Sequence, residues 1–142
     1  MHSAIAQLQR LTELFQKRRA QLASDVGLTE QQWGLLEEIS TEHFMPSMFA
    51  KQRSSSPAAV SKIIRQLIDK GLVSVSLSES DARQRRYDLT PQGHKIMSRL
   101  RESRQTAIER VWLNLDTGDL AAFNDFADQL ANRLEALVRQ GE

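Results

Sequence analysis

Residues 54–91 read SSSPAAVSKIIRQLIDKGLVSVSLSESDARQRRYDLTP, and three kinds of local chemistry follow one another there without a gap. Ser56 can cap a helix N-terminus, and Pro57 suits its first turn, where a missing N–H costs nothing. Val60, Ile63, Ile64, Leu67 and Ile68 then recur at helical spacing with one buried face, until Gly71 stops the helix. After Gly71 the period becomes alternating: Leu72, Val73, Val75 and Leu77 are set between serines, as a short strand requires, and Tyr87 and Leu89 read as the returning strand. The connecting ESDARQRR is too polar and too cationic for a tight turn, which predicts an exposed loop. Thr90-Pro91 repeats the signal of cap and proline and opens another helix.

A helix with small residues at its start, followed by a two-stranded ribbon with a basic tip, fits two grooves of a duplex. Pro57, Ala58, Ala59 and Ser61 would let the helix end approach base edges, while Lys62 and Arg65 reach phosphates or bases. Arg83, Arg85 and Arg86 suit the adjacent minor groove. The same residues would also serve as a solvated amphipathic helix and a charged hairpin.

The run GLVSVSLSESDARQRRYDLTPQGHKIM resembles the wing of the MarR family of winged helix-turn-helix transcription regulators. The resemblance rests on Gly71-Leu72-Val73, on Asp81 and Arg83 in a D-x-R arrangement, and on Leu89-Thr90-Pro91 followed by Gly93. It covers residues 28–100 in detail and the flanks only in their helical character. One departure is the turn at Arg53-Ser54-Ser55, where relatives place an apolar residue, a glycine and another apolar residue. Such a turn would be looser or would lean on duplex phosphates.

The resemblance implies a mostly α protein with a small β-ribbon, a winged helix-turn-helix with N- and C-terminal dimerisation helices. Residues 1–28 would be the N-terminal dimerisation helix, 29–92 the DNA-binding domain and 93–142 the C-terminal dimerisation helices. It implies an Asp81–Arg83 pair that stiffens the wing; exposed, such a pair contributes only about 0–1 kcal/mol, so shape would be its purpose. It also implies a small aromatic or anionic effector, bound between the DNA-binding lobe and the dimer helices. Phe15, Trp33, His43 and Phe44 are the residues to probe for it, and ordinary core aromatics are the competing reading.

Charge resolved along the chain agrees with a duplex partner. From Lys51 to Asp88 there are eight cations (Lys51, Arg53, Lys62, Arg65, Lys70, Arg83, Arg85 and Arg86) against the four anions Asp69, Glu79, Asp81 and Asp88. The whole chain carries a formal charge of only +1, so the positive field is concentrated in this stretch.

Towards the amino terminus, residues 3–22 read as a helix with Ile5, Leu8, Leu11, Phe15 and Leu22 on or near one face. Packing against partner helices is a better reading of that moderate, mixed-charge stripe than a membrane surface. Thr29 with Gln32 three residues on is a capping-box signature for a helix from Glu30 to about Ser40 that buries Trp33, Leu36 and Ile39. Glu37 and Glu38 are adjacent, so their carboxylates point about 100° apart and cannot converge on one substrate atom. They read as a solvated edge. A short helix over residues 46–52 would bury Met48 or Phe49, together with Ala50.

Beyond Pro91, Ile96, Leu100, Ala107, Val111 and Leu115 predict a helix reaching towards Trp112. Asp116 or Thr117 caps a last helix carrying Leu120, Phe123, Ala127, Leu130, Leu134 and Leu137 at steps of three and four. That seam is more than a 142-residue monomer would bury, which points to a homodimer. Two-fold symmetry would then place two recognition helices about one duplex turn apart, roughly 34 Å, on a pseudo-palindromic site.

Other function classes find little support. The chain has no cysteine, hence no disulfide or thiolate metal site, and His2, His43 and His94 are scattered without a second ligand at a useful interval. No nucleophile motif, phosphate-binding glycine loop or dinucleotide fingerprint occurs, so no catalytic residue and no cofactor is expected. The amino terminus lacks the apolar core of a signal peptide and no run approaches membrane-spanning length, so the expected compartment is the cytoplasm. The expectation is a DNA-binding regulator, most simply a repressor; a winged-helix module that binds only protein is the alternative.

Overall fold

The computed structural model describes residues 1–41, 44–53, 55–78 and 84–141. Its elements run α1 (His2–Asp25), α2 (Glu30–Ile39), α3 (Pro46–Gln52), α4 (Pro57–Asp69), β1 (Val73–Leu77), β2 (Arg85–Leu89), α5 (Pro91–Ala107), a π-helical turn (Ile108–Trp112) and α6 (Thr117–Gln140). Chain contacts divide it into two units, residues 1–103 and 104–142. No described helix is long and apolar enough to cross a membrane.

Local chemistry sets the helix boundaries in the first unit. Thr29 and Gln32 form a complete capping box: the Gln32 N–H donates to Thr29 Oγ1, and the Thr29 N–H to Gln32 Oε1, both at 3.1 Å. Ser56 Oγ accepts the Ala59 N–H at 3.1 Å ahead of Pro57, as the cap-plus-proline pattern requires. Gly71 follows α4 at φ 73°, a left-handed conformation that glycine adopts without steric penalty. Thr90 joins three elements: Oγ1 donates to the Gly71 carbonyl at 2.6 Å and accepts the Gly93 N–H at 3.1 Å, and its N–H donates to the Leu72 carbonyl at 3.0 Å.

The core draws on every helix of this unit and on β1, with Tyr87 and Leu89 of β2 partly buried against it. Leu22 and Ala23 close α1 onto it, Trp33, Leu35, Leu36 and Ile39 come from α2, and Phe49 and Ala50 from α3. Val60, Ile64 and Leu67 are the buried stripe of α4, with Ile63 and Ile68 half-buried at its borders. Leu72, Val73, Ile96, Met97 and Leu100 complete it. Of the two residues expected from α3, Phe49 is inside and Met48 is exposed. α4 packs on α2, α3 and β1, which makes it the centre of the unit.

Two expectations need correction. The basic stretch before Tyr87 is not all loop, because β2 begins at Arg85 and pairs antiparallel with β1 as Leu77↔Arg85, Ser76↔Arg86, Val75↔Tyr87, Ser74↔Asp88 and Val73↔Leu89. Long arginine side chains can leave a two-stranded ribbon at the edge, so charge does not end the strand there. Glu37 and Glu38 are more than a solvated edge: Glu37 Oε2 lies 3.5 Å from Arg19 Nη2 on α1, and Glu38 Oε1 lies 3.9 Å from Arg53 Nη2 after α3. The divergence of neighbouring helical residues sends them to different partners.

The first four turns of α1 stay outside the core, with Ile5, Leu8, Leu11, Leu14 and Phe15 all exposed. In the second unit, Asp116 caps α6 by accepting the Asp119 N–H at 3.1 Å. None of the described residues of α6 or the π-helical turn is buried. Leu120, Ala127 and Leu130 are half-buried, while Phe123, Phe126, Leu134, Leu137 and Val138 are exposed.

Candidate nucleic-acid interface

Three sectors divide the surface of α4. Val60, Ile64 and Leu67 face the core. Pro57, Ala58, Ser61, Lys62 and Arg65 are exposed, and Ala59 is half-exposed. The start of the helix therefore offers no side chain longer than proline until Lys62, which leaves its backbone approachable from outside.

Ser61 and Arg65 also form one wall of a groove whose other wall is the ribbon. Its lining is Ser61, Ile64, Arg65, Ile68, Val75, Arg85 and Tyr87, and its volume is about 340 Å³. The register explains the ribbon's share: Val75, Tyr87 and Arg85 alternate on one face, and that face looks at α4. Arg65 and Arg85 thus bring two guanidinium groups from separate elements to one cleft. Among the described residues neither has a carboxylate within ion-pair distance.

Arg86 differs from Arg85. It shares the opposite ribbon face with Ser74, Ser76 and Asp88, and its Nε lies 3.1 Å from Asp88 Oδ2. The Asp81 and Arg83 pair expected at the ribbon tip falls outside the described residues. At the turn before α4, the Ser55 N–H donates to the Ala50 carbonyl at 2.8 Å and the Arg53 N–H to that of Phe49 at 3.0 Å. The Arg53 guanidinium stands 5.4 Å from the Phe49 ring centroid. Arg53 and Ser55 are thus each held to α3 by a backbone hydrogen bond, and Ser54 falls outside the described residues.

The residues singled out for an effector fall into two groups. Trp33 is 3% exposed beneath the Arg19 guanidinium, 4.0 Å from its ring centroid, and the buried indole Nε1 has no hydrogen-bond partner among the described residues. Phe44 is half-buried and packs edge-on against Phe49 and Tyr87, with centroids 6.1 and 5.9 Å away, so it belongs to the root of the ribbon. Phe15 is exposed on α1, and His43 falls outside the described residues. No group of three or more His, Asp or Glu side chains among the described residues could hold a metal ion.

The helix order, the two-stranded ribbon after α4 and the groove between them can be compared with known proteins. Residues 26–84 match the model of the MarR family. This segment is similar to the MarR family. The whole chain has the fold of that family's solved structures. A MarR family transcription regulator superposes with a TM-score of 0.85 at 19% identity, covering 97% of this chain and 92% of its own. A Staphylococcus aureus MarR in complex with salicylate and kanamycin gives 0.79 at 18% identity, covering 95% and 92%. A point mutant of S. aureus MepR bound to an oligodeoxyribonucleotide gives 0.63 at 16% identity, covering 94% and 98%. No curated protein sequence matches significantly. In winged-helix terms α3 and α4 have the placement of the helix-turn-helix, α4 stands where that fold has its recognition helix, and β1 with β2 is the wing.

Charge in the sequence points to Arg65 and Arg85, which the structure places in one groove, but gives no sign of the groove's apolar floor. Ile64, Ile68, Val75 and Tyr87 were read only as core or strand positions, because an apolar residue signals burial without saying which cleft it borders.

Proposed function

We propose that this chain is a homodimeric transcriptional regulator of the MarR type that binds double-stranded DNA at a pseudo-palindromic site, and is not an enzyme. One observation carries the reading: Ser61 and Arg65 on the recognition helix share a groove with Arg85 on the wing, with both guanidinium groups free of carboxylate partners among the described residues. Ser56, Pro57, Ala58, Ala59, Ser61, Lys62 and Arg65 would meet the major groove. Arg85, Arg86 and the tip residues Asp81 and Arg83 would meet the flanking backbone and minor groove. The oligonucleotide-bound MepR variant of similar fold supports that partner.

The homodimer is supported by the apolar residues that each unit leaves exposed, Ile5, Leu8 and Leu11 in one and Phe123, Leu134 and Leu137 in the other. Exposed apolar surface on this scale is characteristic of an interface. Repression is the simplest outcome of occupying a promoter, and such a protein works in the compartment that holds the DNA, in keeping with the expected cytoplasm. A small aromatic or anionic effector is proposed by analogy with the salicylate-bound S. aureus MarR. It must bind one spacing of the two recognition helices better than another, since equal affinity for both shifts nothing.

Binding-site selection from random duplexes tests this function, with Lys62→Ala and Arg85→Ala beside the parent protein. An inverted repeat should emerge, its retention should fall steeply with salt, and both variants should bind more weakly. A protein-only adaptor would show neither the repeat nor the salt dependence.

A further inference from the structure

The flank of α4 turned away from the wing carries a polar tether. Gln32 is the buried polar side chain of this core among the described residues, 5% exposed. Its Oε1 closes the cap of α2 by accepting the Thr29 N–H, and its Nε2 donates to Gln66 Oε1 on α4 at 3.0 Å. One turn further along α4, Lys70 Nζ donates to the Gly27 carbonyl. Gly27 and Thr29 belong to the elbow between α1 and α2, so two hydrogen bonds a turn apart fasten one side of α4 to one short stretch of chain.

Apolar contacts hold a helix in place but let it roll, because dispersion is not directional; an amide pair is. With side chains about 5 Å from the helix axis, a 20° roll moves their ends by roughly 2 Å. That is several times what a hydrogen bond to a base edge tolerates. Gln66 lies on the flank of α4, and the exposed Lys62 and Arg65 lie four and one residues before it.

We propose that Gln66 is a positioning residue: through its amide bond to Gln32 it fixes the rotation of α4, and so the register in which Ser61, Lys62 and Arg65 meet base edges. The proposal rests on the reading of α4 as a duplex-binding helix. A part-buried amide pair contributes little net stability, since the bond replaces hydrogen bonds that both amides make to water in the unfolded chain. Its consequence therefore falls on discrimination between sequences.

The test is the ratio of affinities for the selected duplex and for a scrambled duplex of the same length, at one salt concentration. Partial unfolding lowers both affinities alike and leaves the ratio unmoved. Gln66→Leu and Gln66→Met, which lack the acceptor, should lower the ratio about tenfold, the size of one lost base contact. Their affinity for the scrambled duplex and their salt slope should stay at the parent values. Gln66→Glu keeps an acceptor for Gln32 Nε2; its added negative charge should weaken both affinities while preserving the ratio. Parent-like ratios in Gln66→Leu and Gln66→Met, or a ratio in Gln66→Glu as low as theirs, would overturn the proposal and leave DNA binding standing. A parent protein that binds no duplex would overturn both.

Discussion

A side chain at Gly93 would meet the backbone of Leu72: a Cβ there would stand 2.2 Å from the Leu72 carbonyl oxygen and 3.2 Å from its carbon. That carbonyl is already held by the Thr90 N–H at 3.0 Å, so the start of α5 is pressed onto the base of the wing and neither partner can retreat. Glycine in a helix normally costs about 0.5–1 kcal/mol relative to alanine, so Gly→Ala is usually stabilising. Here the sign should reverse. Gly93→Ala should destabilise by about 1–3 kcal/mol in denaturant titration, as overpacking does. Gly34→Ala, in α2 with nothing within 4 Å of its Cβ position, should stabilise by up to about 1 kcal/mol.

Trp33 gives a second contrast. It is buried under Arg19, yet its indole N–H has no partner among the described residues to lose. Trp33→Ala should cost about 3–5 kcal/mol by leaving a cavity. Trp33→Phe should cost clearly less than half of that, because it keeps a ring under the guanidinium and removes an unsatisfied donor. Equal losses in the two variants, measured by the same unfolding curves, would show that the N–H has a partner.

Register separates the two wing arginines. Arg85 faces α4 and the groove, whereas Arg86 faces the other way and is paired with Asp88. Arg85→Ala should flatten the dependence of log affinity on log salt by about 0.9, the value of one phosphate contact. Arg86→Ala should change the slope by less, since part of its charge is already matched. The reverse order would mean that the wing enters the duplex by its other face.

The exposed apolar residues of α1 and α6 carry the prediction about assembly. Leu8→Glu or Leu134→Glu should shift the sedimenting species from dimer to monomer, because a charge would be desolvated at the exposed face that the proposed dimer would cover. Neither residue belongs to the core of the first unit. The helical signal should therefore persist at low temperature while the sedimentation coefficient falls.

What the sequence made legible was local. Ser56 with Ala59, Thr29 with Gln32, and Thr90 with Gly93 are contacts across three residues, and each appears in the structure as the cap that the sequence signals or as an extension of it. The buried stripe of α4 followed from its period. The start of β2 did not, because Arg85 and Arg86 look like a loop when judged by charge, and only the alternation of Arg85, Tyr87 and Leu89 against Arg86 and Asp88 marks the strand. Gln32 and Gln66, 34 residues apart, were out of reach of any spacing argument. The separate destinations of Glu37 and Glu38 were hidden for the same reason: direction can be read from a helix, but what lies in that direction cannot.

The central claim, that two copies of the α4 and wing groove engage one duplex symmetrically, is tested most directly by varying the spacing between half-sites of the selected sequence. Affinity should peak with half-site centres about 10–10.5 base pairs apart and collapse when five base pairs are inserted, since half a helical turn carries the second site to the opposite side of the duplex. Affinity that is indifferent to the insertion, or equal for one half-site and two, would contradict the account.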